Sequence, residues 1–183
     1  AFDPGAGDFT AEMYARPTGS MTGGNRDLLG QSDTGGGYVP FTIRLASTGK
    51  WALVIYNGAA YQVIDGGPAI ASQWVHLAMV KTGTLITFYV DGTSKGSITI
   101  GNGGVLYASS QSMSIGRLGS YGNPYTGYLD EIRFTKGVAR YTGSFTPPTQ
   151  AFPNAAPALD PDAIGHTVGD LQSITNAAGH IAQ

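Results

Sequence analysis

The stretch Gly127–Pro148, G-Y-L-D-E-I-R-F-T-K-G-V-A-R-Y-T-G-S-F-T-P-P, decides how this chain is read. It opens as a strand: on an ideal pleat Tyr128, Asp130, Ile132 and Phe134 share one face, and Leu129, Glu131 and Arg133 share the other. The first face is apolar apart from Asp130, which predicts that this carboxyl is buried or half-buried. The second carries the Glu131/Arg133 pair and suits water. A turn around Lys136–Arg140 follows, and then an extended exit through Pro147 and Pro148.

The same alternation recurs along most of the chain. Strands are predicted at Phe9–Arg16, Tyr38–Ala46, Trp51–Tyr56, Tyr61–Ile64, Gln73–Lys81, Leu85–Val90, Ser94–Ile100, Ser112–Gly116 and Gly127–Phe134. Gly19–Gly37 reads as a long Gly/Ser/Asp-rich loop around the apolar pair Leu28–Leu29. Asn57-Gly58 and Asp91-Gly92 each sit between apolar runs and predict tight hairpins, because both central residues of such turns need φ > 0. Composition agrees. Gly is 28 of 183 residues, charged residues are 12%, and only Glu12 and Glu131 are glutamates, so strong helix formers are scarce. The expectation is an all-β, antiparallel sandwich over residues 9–134, with Trp51, Trp74, Ile86 or Phe88, and Ile132 in its core.

Three motifs carry a family resemblance. One is the Gly127–Pro148 stretch, a strand followed by K-G-V-A-R-Y and F-T-P-P. Another is W-V-H-L-A-M-V-K-T-G-T-L-I-T-F-Y-V-D-G-T at Trp74–Thr93, a W-x-H strand paired with one ending in Y-V-D-G. The third is G-D-F-T-A-E-M-Y-A-R-P at Gly7–Pro17, with Met13 where an aromatic is common. Over residues 1–153 the chain resembles the laminin-G-like domains of the concanavalin A-like lectin/glucanase superfamily, in the type carried on bacteriophage tail and virion-surface proteins. The resemblance implies a jelly-roll sandwich without catalytic activity, on a phage tail, fibre or capsid exterior, or otherwise extracellular. It implies two alternative roles: binding of a cell-surface glycan or other host receptor, or structural decoration in contact with other virion proteins. The family has one strand ahead of the D-F-T motif, and only Ala1–Gly5 remains for it, so the chain is expected to be a fragment of a longer protein.

Several chemistries are set aside by the residues themselves. Net charge is -2 and the six Arg are dispersed, which argues against nucleic acid as a partner. Cys is absent, so disulfides and thiolate metal sites are excluded. No run approaches the ~18 apolar residues of a membrane span, so no membrane insertion is expected. Glycoside hydrolysis, the remote alternative, needs two carboxylates ~5–5.5 Å apart for retention or further apart for inversion, and no predicted strand carries acids at alternating positions. Asp130 and Glu131 are adjacent and would point to opposite faces. The G-x-S-x-G elbow is missing, His76 reads as a packed strand residue, and His166 and His180 have no zinc-ligand spacing.

Two regions remain. The loop Gly119–Tyr128, with Arg117 ahead of it, is the candidate ligand surface: Tyr121 and Tyr125 offer ring faces for sugar stacking, and Arg117 and Asn123 offer hydrogen bonds to hydroxyls. The alternative is a connector whose tyrosines pack back on the sandwich. Asp130 is the single candidate metal contact, since related laminin-G domains bind Ca²⁺ through acids and carbonyls; no cofactor is required. Residues 154–183 form a separate segment. Its A-A-P-A-L-D-P-D start reads as a linker, and Ile164, Val168, Leu171, Ile174, Ala178 and Ile181 recur every three to four residues. This predicts a short amphipathic helix from near Thr167 that docks on another subunit or virion protein, in a homo-oligomer of the trimeric-bundle kind.

Overall fold

The computed structural model describes residues 5–32, 38–57, 59–107, 109, 111–119 and 124–152; the helical tail expected from Thr167 onward, Tyr121 and Asn123 lie outside them. Ten strands form: β1 (Phe9–Pro17), β2 (Arg26–Gln31), β3 (Phe41–Leu45), β4 (Lys50–Tyr56), β5 (Tyr61–Pro68), β6 (Val75–Thr82), β7 (Leu85–Val90), β8 (Thr93–Thr99), β9 (Met113–Ile115) and β10 (Gly127–Lys136). They pair antiparallel in two five-stranded sheets, β10-β1-β6-β7-β8 and β5-β4-β3-β2-β9. The compact unit ends at Thr149.

The inner faces meet in one core. The first sheet contributes Phe9, Ala11, Met13, Leu77, Met79, Ile86 and Phe88, and the second Leu28, Leu29, Phe41, Ile43, Leu45, Trp51, Leu53 and Ile55. Trp51, Ile86 and Phe88 are buried as expected. Trp74 and Ile132 are not: both are exposed, Trp74 by 47%. The inward residues of β6 are Val75, Leu77 and Met79, and the residue before Val75 points outward whatever its hydrophobicity.

Two further departures have local causes. Leu28–Leu29 belongs to a true strand, β2, paired on both sides, and a bulge after Asp27 turns both leucines into the core. A second bulge interrupts β10: Glu12 pairs with Arg133, but Tyr14 pairs with Asp130, and Glu131 takes φ = 49°. The extra residue breaks the alternation, so Phe134 and Leu129 both pack toward the core while Asp130 is left exposed, contrary to the burial expected for it. The two turns also differ. Asp91 and Gly92 take φ of 49° and 71°, the tight hairpin predicted. The first turn instead spans four residues between Tyr56 and Tyr61, and the Asn57 carboxamide accepts from the amides of Ala59 and Ala60.

Beyond β10 the chain runs back across the outer face of the first sheet. Ala139, Tyr141 and Phe145 cover Ala78, Val80 and Tyr89 there, with the Tyr141 and Phe145 rings stacked at 3.5 Å. Thr10 Oγ1 donates to the Val138 carbonyl and accepts from the Arg140 amide, each at 2.9 Å, and Tyr14 donates to the Pro148 carbonyl. The fastening point is Glu12, fully buried in β1. Its Oε1 accepts from Arg133 Nε (2.9 Å) and Nη2 (2.8 Å); its Oε2 accepts from Tyr141 Oη (2.7 Å) and lies 3.2 Å from His76 Nε2. The three motifs of the sequence thus meet in one clasp, which holds residues 137–149 as a strap over half of the sandwich.

Candidate functional site

With the first sheet strapped, the outer face of the second sheet is the surface to build from. On β3, Phe41, Ile43 and Leu45 point into the core, which turns Thr42 and Arg44 outward; on β4 the same parity turns out Lys50, Ala52, Val54 and Tyr56, and on β5 Tyr61, Val63 and Asp65. On β2, Asp27 pairs with Arg44 and Gly30 with Thr42. The face is half roofed. The loop after β9 lies over its β2 side: Pro124 bridges to Asp27, and Leu118 sits where a Gly30 Cβ would be, 2.8 Å away, so only glycine fits there. The β5 side is open, with Tyr61, Val63 and Asp65 all exposed.

A charged pair occupies the middle of this face. Asp27 is buried, and its Oδ1 accepts from Thr42 Oγ1 at 2.9 Å. Burial raises its carboxyl above the usual range, against the opposing pull of the Thr42 hydrogen bond and the Arg44 charge. Arg44 is half-buried, and its Nε is enclosed with no hydrogen-bond partner. A buried guanidinium donor without an acceptor is costly, and proteins rarely leave one so.

At the far end of the same face four tyrosines form a cluster. Tyr56 closes β4 and Tyr61 opens β5, directly paired; Tyr38 comes from just ahead of β3 and Tyr107 from the connection between β8 and β9. The Tyr38 and Tyr56 ring centroids are 4.4 Å apart, Tyr38 and Tyr107 5.0 Å, Tyr56 and Tyr61 5.3 Å, and Tyr56 and Tyr107 5.4 Å. Tyr38 and Tyr61 are exposed. The Tyr61 hydroxyl accepts from the Val39 amide at 2.9 Å, which fixes its ring. Burial, and then its tyrosine neighbours, push the Tyr56 hydroxyl up, so it stays protonated as a donor.

Of the residues singled out in the sequence, Arg117 is exposed at the start of the roof loop. Tyr125 packs its ring against the core, its amide bonded to the Gly116 carbonyl at 2.8 Å and its hydroxyl buried without a partner; burial pushes that hydroxyl up. Tyr125 is thus packed back on the sandwich, while Tyr121 and Asn123 lie outside the described residues. Asp130 lies on the other sheet, where its Oδ1 accepts from the Glu131 amide at 2.8 Å. No group of three or more His, Cys, Asp or Glu converges among the described residues. Asp27, Thr42, Arg44 and the tyrosine cluster were not singled out. They come from segments far apart in the chain, and the available signal was limited to outward polar positions such as Thr42 and Arg44 in F-T-I-R-L.

Comparison with solved structures gives the same architecture. A Bacteroides ovatus protein whose carbohydrate binding is itself an inference superposes with a TM-score of 0.58 at 19% identity, over 75% of this chain and 39% of its own. The CBM40 of the Ruminococcus gnavus IT-sialidase, bound to α2,3-sialyllactose, gives 0.55 at 15% identity over 73% of this chain and 78% of its own. Domains LG4-5 of the mouse laminin α1 chain give 0.54 at 16% identity over 82% of this chain and 44% of theirs. This chain thus spans less than half the length of the Bacteroides and laminin chains. No curated protein sequence matches. The profile of one family, Laminin_G_3, matches residues 2–140, which take in the Gly7–Pro17 and Trp74–Thr93 motifs and the third motif as far as Arg140, and the chain belongs to that family of the concanavalin A-like lectin/glucanases superfamily.

Proposed function

We propose that this chain is a non-enzymatic, lectin-like module that binds a saccharide on the outer face of the second sheet, between the tyrosine cluster and Arg44. One observation carries the reading: the four-tyrosine cluster at the rim of this face, with Tyr38 and Tyr61 exposed and the Tyr61 ring fixed by the Val39 amide, next to the open β5 side; the half-buried Arg44 lies further in, past the buried Thr42 and Val54. A sugar hydroxyl is both donor and acceptor. It can bond the tyrosine hydroxyls while the exposed rings stack on a sugar face, and the half-buried Arg44 offers the charged donor. The CBM40 named above binds a saccharide on the same fold, which supports the class and not the place.

Hydrolysis fits this face poorly. Among the described residues Asp65 is the other acid on it, three strands from Asp27 through Arg44 and Ala52, a backbone spacing of about 14 Å at ~4.8 Å per strand. That exceeds both the retaining and the inverting separations. Glu12 is enclosed under the strap with both oxygens occupied. The setting we propose, a phage tail, fibre or capsid exterior, rests on the wording of the K-G-V-A-R-Y and F-T-P-P motifs, and the role of residues 154–183 in docking on another subunit rests on their apolar spacing.

The test is a glycan array on the purified chain, followed by calorimetry on any hit. Arg44→Ala and Tyr61→Ala should each weaken binding about tenfold or more, the loss of one charge-assisted hydrogen bond or one stacked ring, with the melting temperature kept. Tyr121→Ala with Tyr125→Ala tests the roof loop alongside. Binding that survives Arg44→Ala and Tyr61→Ala together, or an array with no hit, would overturn the reading.

A further inference from the structure

The tryptophan of the W-x-H motif belongs neither to the core nor to the face just described. Trp74 stands 47% exposed at the start of β6, on the first sheet. Ala15 pairs with Val75, so the next residue of β1, Arg16, comes alongside Trp74; on its other side Arg16 pairs with Tyr128, which is 58% exposed. Three adjacent strand positions thus present an aromatic ring, a guanidinium and a second aromatic ring in a row, beyond the end of the strap.

The guanidinium is held and half used. Arg16 Nε donates to the Ser72 carbonyl at 3.1 Å, and its Cζ lies 5.6 Å from the Tyr128 ring centroid. The acceptor is itself fixed: Ser72 takes φ = 61°, and its amide donates to the Pro17 carbonyl at 2.8 Å. Neither terminal nitrogen of Arg16 has a hydrogen bond or ion pair among the described residues. The nearby carboxylates are turned to the backbone, Asp91 Oδ1 to the His76 amide and Asp130 Oδ1 to the Glu131 amide, each at 2.8 Å. Trp74 also borders a small cleft with Ile70, Gln73 and Asp91, about 90 Å³, room for a few hydroxyl-sized groups.

We propose that Trp74, Arg16 and Tyr128 form a second ligand site, for a saccharide that bears a carboxylate. The two free nitrogens form a planar fork that matches a carboxylate bidentately, and anchoring through Nε orients the fork before the ligand arrives. Trp74 and Tyr128 lie about 10 Å apart across two strand spacings, the footprint of sugar rings laid flat across the sheet. The site is separate from the Arg44 face and does not depend on that assignment.

The chain reports on this site directly. It has two tryptophans, and Trp51, 2% exposed, also lines the cleft, so the titrations are run in a Trp51→Phe background where quenching by an added ligand comes from Trp74. The probes are trigalacturonate and 3′-sialyllactose as acidic saccharides, lactose as the neutral one, and an acidic hexapeptide with a free C-terminus. At least one acidic saccharide should quench Trp74, and more weakly as salt is raised. Arg16→Gln should lower its affinity about tenfold or more, Arg16→Lys should restore part of it, and Lys95→Ala, an exposed charge on β8 at the far edge of the sheet, should leave it unchanged. Melting curves establish that each variant is folded. The proposal is overturned if neither acidic saccharide quenches at millimolar concentration. It is equally overturned if lactose binds as well as they do, if Arg16→Gln binds normally, or if the peptide alone binds, which would make this a protein-docking surface.

Discussion

Replacing Glu12 by Gln tests the clasp that holds the strap. Both oxygens of Glu12 are engaged, and the Arg133 pair to Oε1 is bidentate. Burial alone would raise this carboxyl; hydrogen bonds from His76, Tyr141 and Arg133, with the Arg133 charge, outweigh it and hold the group below the usual carboxylate range. Gln keeps the shape and removes the charge. On the Oε2 side Tyr141 and His76 can exchange donor and acceptor roles, so little need be lost there. On the Oε1 side Arg133 stays charged and keeps two hydrogen bonds to the Gln oxygen but loses the opposite charge, a cost of about 2–3 kcal/mol, below the ~3–5 kcal/mol of a fully buried pair because Arg133 is part-exposed. For a domain of this size that lowers Tm by roughly 5–10 °C at pH 7. Because the folded-state pKa is depressed, the charge contributes stability above the unfolded-state pKa of ~4.3 and loses it as pH falls through the folded value. The gap between wild type and Glu12→Gln should therefore narrow in acid. Calorimetric melts at pH 7 and at the lowest pH where the fold persists measure both. A Tm within ~2 °C of wild type at pH 7, or a gap that stays constant into acid, would refute the account of the clasp.

Gly92 tests the same strap from the other side. A Cβ there would fall on the Phe145 carbonyl oxygen, and φ is 71°, so Gly92→Ala should cost about 2–4 kcal/mol in urea unfolding, whereas Gly83→Ala, with φ = 56° and open space, should cost about 1 kcal/mol. Asp27→Asn keeps the acceptor for Thr42 and removes a carboxylate whose pKa burial has raised. A raised pKa is a penalty that sets in as pH rises from the unfolded-state value through the folded one, so the variant should melt at or above wild type at pH 7, with the difference closing in acid; a variant that melts below wild type at pH 7 would contradict this. Deleting residues 160–183 should leave the melting of the sandwich unchanged but lower the assembly state in analytical ultracentrifugation, and an unchanged mass would remove the assembly role.

Much of the sandwich was written in local pattern. The alternation of β1, β3, β4, β6 and β7 and the Asp91-Gly92 turn follow from neighbouring residues, because side-chain direction in a strand repeats every two positions. The structure departs from that pattern where the period is interrupted. The bulge at Glu131 uses a residue with no intrinsic preference for φ > 0, so no glycine marked it, and Asp130 was assigned to the wrong environment. Trp74 was placed in the core by its hydrophobicity, although its parity relative to Val75 and Leu77 points it outward.

The candidate sites were less legible, for a topological reason. Asp27, Arg44 and Thr42 meet because β2 lies beside β3, and the four tyrosines meet because β4, β5 and two long connections end at one rim of the sheet. Arg16, Trp74 and Tyr128 meet because β1 lies between β6 and β10. By itself the sequence determined the fold class, the family motifs and most strand positions, all set by the backbone period and by turn chemistry within a few residues. Only the tertiary structure decided which of the outward-facing polar and aromatic side chains stand together. Strand order is fixed by the packing of the whole core, and no short window of sequence contains it.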